Sequence, residues 1–303
     1  MRYALIADIH GNLPAFKALI QDIEGQNVDK FIFAGDYWGD LPYPNEVVSI
    51  IRGMDNAYAV SGNKEGYLVH LKGNPEKNWK HKQYNCLYWN YDELEEANLQ
   101  YLIDLPEEMR VNLEDGKSIH LIHSITDLFK DTKLSSMRSS SYRKIVEAPD
   151  YAHESFGGFA KELIEKDNDL CEKIEAFPSD LIIFGHTHIQ WHARVRGKVL
   201  INPGSCGMPL DLQPSAAYAL LDIQGDDIKV SERRVQYDID GLISEAKSFG
   251  LYKVAKGWSE AVFEQLTYAG EQVYFFLKHV RKVGLEHGED EFCLLYTSDA
   301  ADE

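Results

Sequence analysis

Tyr3-Ala4-Leu5-Ile6-Ala7 runs unbroken into Asp8-Ile9-His10-Gly11-Asn12, and Leu13-Pro14 follows at once. An apolar run this short, closed by a charged residue, reads as a buried strand. Beyond it, Phe16, Leu19, Ile20 and Ile23 fall on one helical face. Pro14 sits in the first turn, where a missing N–H costs little. A buried strand that delivers an aspartate and a histidine before a helix is the unit of a layered α/β domain. Strand side chains alternate, so Asp8 and His10 can point the same way.

The same grammar recurs down the chain. Lys30 to Ala34 is a strand stopped by Gly35-Asp36, Pro44 to Arg52 is helical, and Ala57 to Val60 is a strand ending at Gly62-Asn63. Gly66 to Tyr91 shows no clear period, and Asp92 is expected to cap a helix through Leu102. Val111–Leu113 and Ser118–Ile122 pair across the Glu114-Asp115-Gly116 turn, with His123 after them. Ile125 to Tyr151 reads as a long surface loop with some helix, followed by helical patterns to Ala176. A strand from Leu181 to Phe184 meets Gly185-His186-Thr187-His188. Strands then run over Gln190–Val195, Lys198–Ile201, Ala217–Asp222 and Ile228–Tyr237, and the pattern is helical from Gly241 to about Val283.

Taken singly, an Asp or His after a strand is most often a cap or a solvated loop residue. Five such strand ends, each with a ligand-type side chain and most with an adjacent glycine, are a joint signal. Strand C-termini of an α/β sheet converge on one edge, where ligands bind. Asp8, His10, Asp36, Asn63, His123, His186 and His188 would then face one crevice. Two divalent cations need such a set, usually with one carboxylate shared. Carboxylate, amide and imidazole donors suit manganese, iron(II) or zinc better than a thiolate-seeking ion.

The order D-x-H-G-N, G-D-x-x-G, G-N, H, G-H-T-H resembles the calcineurin-like metallophosphoesterase superfamily, and within it the bacterial predicted phosphodiesterases. Gly35-Asp36-Tyr37-Trp38-Gly39, Ile201-Asn202-Pro203-Gly204-Ser205 and Arg234-Val235-Gln236-Tyr237-Asp238 extend the likeness. It runs from Met1 to about Asp240. The resemblance implies a four-layer αββα sandwich of two mixed sheets; beyond it, the helical pattern reads as a C-terminal appendage over 241–292. It implies two divalent ions, manganese foremost, with iron(II), zinc or nickel as alternatives. Asp8, His10, Asp36 and His188 would hold one ion, and Asp36, Asn63, His123 and His186 the other. A hydroxide between them would attack phosphorus in line, on a small phosphate monoester or diester, nucleotides included. Asp36 and Lys64 are the catalytic candidates, and Asn12 and Trp38 are assigned to the substrate. Two departures stand out. Lys64 occupies a position where many relatives carry a proton-donating His, and Ser124 stands where they usually carry Gly. These motivate an alternative, a metal-binding scaffold with weakened catalysis; a dinucleoside polyphosphate hydrolase is a further one.

Composition sets the remaining expectations. With 31 Lys+Arg against 49 Asp+Glu the net charge is -18, which argues against a nucleic-acid polymer as partner. No apolar window is long enough to cross a bilayer, and the N-terminal run meets Asp8 too soon for a signal peptide. Cys86, Cys171, Cys206 and Cys293 lack CxxC spacing and read as buried thiols. A cytoplasmic protein is expected, with a homo-oligomer left open because Ser259 to Val283 offers apolar surface. Gly116-Lys117-Ser118 lacks the upstream glycine of a phosphate-binding loop, and Arg194, Arg196 and Lys198 read as a solvated basic hairpin. His81, His153 and His192 are weaker candidates for contacting phosphate. Cys293 to Glu303 resembles translated sequencing adapter, so the native chain is expected to continue differently after Phe292.

Overall fold

The computed structural model describes residues 1–73, 84–129 and 156–286. Within them lie two five-stranded mixed sheets and twelve helices. The first sheet has the order β10-β9-β1-β2-β3, from β1 (Arg2–Ile6), β2 (Lys30–Phe33), β3 (Ala57–Ala59), β9 (Ala216–Gln224) and β10 (Asp227–Val235). Strands β1, β2 and β3 are parallel, and β9 closes antiparallel onto β1 with Tyr3 opposite Leu221. The second sheet has the order β4-β5-β6-β8-β7, from β4 (Glu108–Asn112), β5 (Ser118–Ile122), β6 (Leu181–Ile183), β7 (Gln190–Val195) and β8 (Lys198–Pro203).

The alternation of β1 sets the layers. Tyr3, Leu5 and Ala7 meet Ile119, Leu121, Leu181, Ile183 and Ile201 of the second sheet in a dry layer between the sheets. Ala4 and Ile6 point the other way, into a core with Phe16 and Leu19 of α1 (Leu13–Glu24) and Val47, Val48 and Ile51 of α2 (Pro44–Arg52). The outer face of the second sheet is covered by α7 (Phe156–Glu165) and α8 (Asn168–Glu175), through Phe156, Ala160, Leu170 and Ile174. The four-layer αββα sandwich follows from that two-residue period.

Two local readings change. The stretch read as lacking a period contains two helices, α3 (Asn63–Gly73) and α4 (Asn85–Glu93). Helix α3 buries Lys64 and Glu65 alongside Leu68 and Leu71, so polar residues occupy inward positions and blur the apolar stripe. Asp92 is no cap; it lies inside α4, and α5 (Glu96–Ile103) starts after Glu95. A four-residue helix α6 (Ile125–Leu128) opens the segment read as a loop.

After β10 come α9 (Ile239–Ala246), α10 (Gly250–Val254), α11 (Lys256–Tyr268) and α12 (Val273–Glu286). Leu242, Val262, Phe263 and Leu266 join the same core as Ala4 and Phe16, so these helices share the packing of the first sheet. No described helix is long and apolar enough to cross a membrane. His81, His153 and the segment 293–303 lie outside the described residues.

Candidate metal centre

The two sheets bring their strand ends to one crevice. Asp8 and His10 follow β1, Asp36 follows β2, Asn63 opens α3 after β3, His123 follows β5, and His186 and His188 follow β6. Asp8, His10, Asp36, His186 and His188 all have positive φ, between 54° and 72°. Non-glycine residues pay for that conformation, and such strain concentrates at functional sites. It turns each side chain off its strand into the crevice. Adjacent glycines leave the room: a Cβ on Gly62 would lie 2.2 Å from Asp36 Oδ1, and one on Gly185 would lie 2.7 Å from Asp8 Oδ2.

Two groups result. His10 Nε2 lies 3.1 Å from His188 Nε2 and 3.7 Å from Asp36 Oδ2, and His188 Nε2 lies 3.6 Å from Asp8 Oδ1. In the other, Asn63 Oδ1 is 3.0 Å from both His123 Nε2 and His186 Nδ1, and His123 Nε2 is 3.6 Å from Asp36 Oδ1. Asp36 therefore reaches both groups, one oxygen to each. Asp8 also reaches both, since its carboxylate lies within 4.8 Å of ligand atoms of His10 and His188 and of Asp36 and His123.

Hydrogen bonds at the far side of each ring fix what faces inward. His10 Nδ1 meets Asp40 Oδ2 at 2.7 Å, His123 Nδ1 meets the Ala34 carbonyl at 2.7 Å, and His188 Nδ1 meets the Met208 carbonyl at 2.6 Å. Those partners only accept, so each Nδ1 carries the proton, and in the neutral ring Nε2 presents a lone pair. Burial, then the facing His10 ring, pushes the His188 pKa down to about 3, which keeps that ring neutral. The His10 and His188 Nε2 atoms thus face each other at 3.1 Å with the Asp8 and Asp36 carboxylates beside them. A cation satisfies such a set, and these residues fit divalent metal ions.

Charge balance points the same way. Asp8, Asp36, Asp40 and Glu65 are buried around the crevice, with Lys64 as the buried ammonium among them. Burial and the neighbouring Asp36 drive the Asp8 pKa well above the ordinary carboxylate value. Glu65 is pushed up to about 7, by burial first and Asp36 second, although it accepts backbone N–H bonds from Asp36, Tyr37 and Gly62. Stacked negative charge of this kind needs cations beside it.

The calcineurin-like phosphoesterase superfamily domain matches residues 1–226. The chain belongs to that superfamily. It is thereby a metallophosphoesterase, a phosphoric ester hydrolase whose family uses divalent metal ions. An uncharacterized protein of Methanocaldococcus jannaschii is 29% identical over 253 residues, 78% of this chain and 88% of its own length. A probable metallophosphoesterase of Bacillus subtilis is 30% identical over 100 residues, 33% of this chain and 54% of its own. Among solved structures, a metallophosphoesterase from Sphaerobacter thermophilus shares the fold with a TM-score of 0.58 at 23% identity, over 88% of this chain and 98% of that one. A hypothetical protein from Pyrococcus horikoshii gives 0.62 at 19% identity, over 89% and 99%.

Asn12 and Trp38, the two residues assigned to the substrate, are both fully buried. Asn12 caps α1 through Oδ1, and its Nδ2 donates to the Gly207 carbonyl and Tyr237 Oη, so its polar atoms are used within the fold. Trp38 packs in the core of the first sheet. Lys64 Nζ is paired with Asp40 at 2.8 Å. Burial opposes the Lys64 charge, but Asp40 and Asp36 outweigh it and raise its pKa. The Ser124 hydroxyl is spent on Thr126 at 2.7 Å, and Ser124 has ordinary extended backbone that does not require glycine. His192 pairs with Glu232 at 2.7 Å on β7, away from the ligand groups. Sequence reading missed Asp40, whose role shows only once the loop after β2 brings it under His10.

Proposed function

We propose that the chain is a two-metal hydrolase of a small phosphate monoester or diester, of nucleotide size. The observation that carries this reading is the converging set of nitrogen and oxygen atoms, with His10 and His188 facing each other at 3.1 Å among the Asp8 and Asp36 carboxylates. Asp8, His10, Asp36 and His188 would hold one ion, and Asp36, Asn63, His123 and His186 the second. Manganese is the ion we expect, since the donors are hard oxygens and imidazoles without thiolate. Divalent ions there supply Lewis acidity to a phosphoryl oxygen and lower the pKa of water. The chain's residues orient the set: Asp40, the Ala34 carbonyl and the Met208 carbonyl hold the imidazoles. Backbone N–H of Lys64 donates to Asp36 Oδ1 at 2.8 Å, which fixes the shared carboxylate.

The test is turnover of an aryl phosphodiester and an aryl monophosphate by Mn²⁺-loaded protein beside Asp36→Asn. Turnover of at least one substrate, lost in the variant by orders of magnitude, supports the reading. Equal rates in both proteins would end it.

A second reading, a scaffold of weakened catalysis, is favoured by the Lys64–Asp40 pair. An ammonium held charged by a carboxylate stabilises negative charge but gives up its proton poorly. Lys64→His separates the two readings. A large gain in rate marks the native site as compromised, and no gain with good native turnover removes the scaffold reading.

A further inference from the structure

We infer that Trp258, on the C-terminal helix α11, is a positioning residue for the metal site and acts through Asp40 on His10. The inference rests on the metal-site reading above. Asp40 is buried and accepts three side-chain donors: His10 Nδ1 at 2.7 Å, Lys64 Nζ at 2.8 Å and the Trp258 indole N–H at 3.1 Å. The first two belong to the residues 1–226 that carry the family match, whereas Trp258 lies outside it. The Lys64 ammonium also sits over the Trp258 ring, 5.5 Å from its centroid, in cation–π range. Trp258 thus touches both partners of the buried ion pair.

The loop that carries Asp40 is gripped from a second side by the same helices. Leu251 and Ala255 of the C-terminal segment pack on Cys86 of α4, and Cys86 Sγ donates to the Gly39 carbonyl at 3.0 Å. The residue before Asp40 and the Asp40 carboxylate are therefore both held by contacts that depend on residues 250–258. A carboxylate that orients a metal-binding imidazole must keep its own direction, and its supporting donors do that. Removing the indole N–H leaves Asp40 Oδ1 with Lys64 Nζ alone, at 3.1 Å, which loosens the carboxylate and the His10 ring it orients. Trp258 touches neither ligand group directly, so its effect passes through Asp40.

The experiment measures Mn²⁺ affinity by calorimetry on the full chain, for wild type, Trp258→Phe, Asp40→Asn and the double variant. Trp258→Phe keeps an aromatic ring against Phe276, whose ring lies 6.3 Å away, and removes the donor. Loss of such support typically costs 10- to 100-fold in metal affinity. We expect about tenfold weaker binding in Trp258→Phe and no further loss when it is added to Asp40→Asn. Phe276→Leu, which disturbs the packing alone, should leave affinity within twofold. Unchanged affinity in Trp258→Phe, or equal losses with and without Asp40, would overturn the inference. If wild type binds Mn²⁺ and only Trp258→Phe behaves like it, this inference fails and the two-metal reading stands. If wild type binds none, both fall. Should Trp258→Phe not fold, the wild-type chain labelled with ¹⁵N-tryptophan carries the test. The Trp258 indole signal should shift with Zn²⁺ at the midpoint of binding, and an unmoved signal overturns the inference.

Discussion

At the scale of single residues, the site is built by placing groups where they are uncomfortable. Asp8 is fully buried, adopts φ of +54° and stands beside Asp36 and Glu65. Without metal, its charge is unfavourable, as the direction of its pKa shows. Asp8→Asn keeps an oxygen to accept the His186 backbone N–H, at 3.0 Å in the native chain, and removes the charge. The metal-free variant should therefore melt above metal-free wild type. A gain of about 1–3 kcal/mol, or several degrees, is the size expected when an unpaired buried charge is relieved. The same variant should bind Mn²⁺ far more weakly. Differential scanning calorimetry in EDTA reads the first effect, and a lower melting point would refute the charge argument. This opposition between stability and site explains which residues were legible. Asp8, His10, Asp36, His186 and His188 could be picked out because a charged or imidazole residue after an apolar run has no packing reason to be there. Asp40 could not, because its meaning depends on which ring it meets across thirty residues of chain.

At the scale of elements, strands were legible and the polar helices were not. Strands β1, β6 and β8 are short, mostly apolar runs buried on both faces, as is the second half of β2, and the period-free hydrophobicity of such strands survives any sequence context. Helix α3 loses its stripe because Lys64 and Glu65 point inward for the sake of the site. Helix α4 loses it because Asn90 is buried, donating to the Cys86 carbonyl at 3.0 Å. Strand β5 offers a test of a polar residue on a sheet. His120 packs against Phe177, with ring centroids 5.0 Å apart, and lies 3.1 Å from Glu108 on β4. Burial lowers its pKa, and the opposing pull of Glu108 does not cancel that. A histidine with a depressed folded pKa contributes stability that is present above its unfolded pKa, about 6.5, and lost as pH falls below it. Wild type should thus lose stability on acidification from pH 7 toward pH 5 more steeply than His120→Gln, with denaturant midpoints as the measure. Parallel slopes would show that Glu108 compensates the burial in full.

At the scale of the molecule, the crevice is a joint between two sheets. Asp8, His10, Asp36 and Asn63 come from the ends of β1, β2 and β3 in the first sheet. His123, His186 and His188 come from the ends of β5 and β6 in the second. Between the sheets, the contact is otherwise apolar, made by side chains such as Leu5, Ala7, Leu121 and Ile183. Hydrogen bonds cross the joint beside the ligands: the Cys206 and Gly207 N–H groups, after β8, donate to the Ala7 and Asp8 carbonyls, and the His186 N–H donates to the Asp8 carboxylate. An ion held by Asp8, His10 and His188, or by Asp36, Asn63, His123 and His186, ties one sheet to the other. Metal binding should therefore raise the stability of both sheets together rather than of one loop. At a free Mn²⁺ concentration about 100 times Kd, one site adds about 2.7 kcal/mol, which for a chain of this size is roughly 4 °C. Hydrogen exchange places the effect: amides of β1 and β2 and of β5 and β6 should gain protection in parallel on Mn²⁺ addition, and EDTA should reverse it. Asp36→Asn should abolish the gain in both sheets, because its carboxylate reaches His10 on one side and His123 on the other. Protection confined to the β1 and β2 side would mean that the ligands of the second sheet do not share the ion, and the joint would then be held by apolar packing and these hydrogen bonds without it.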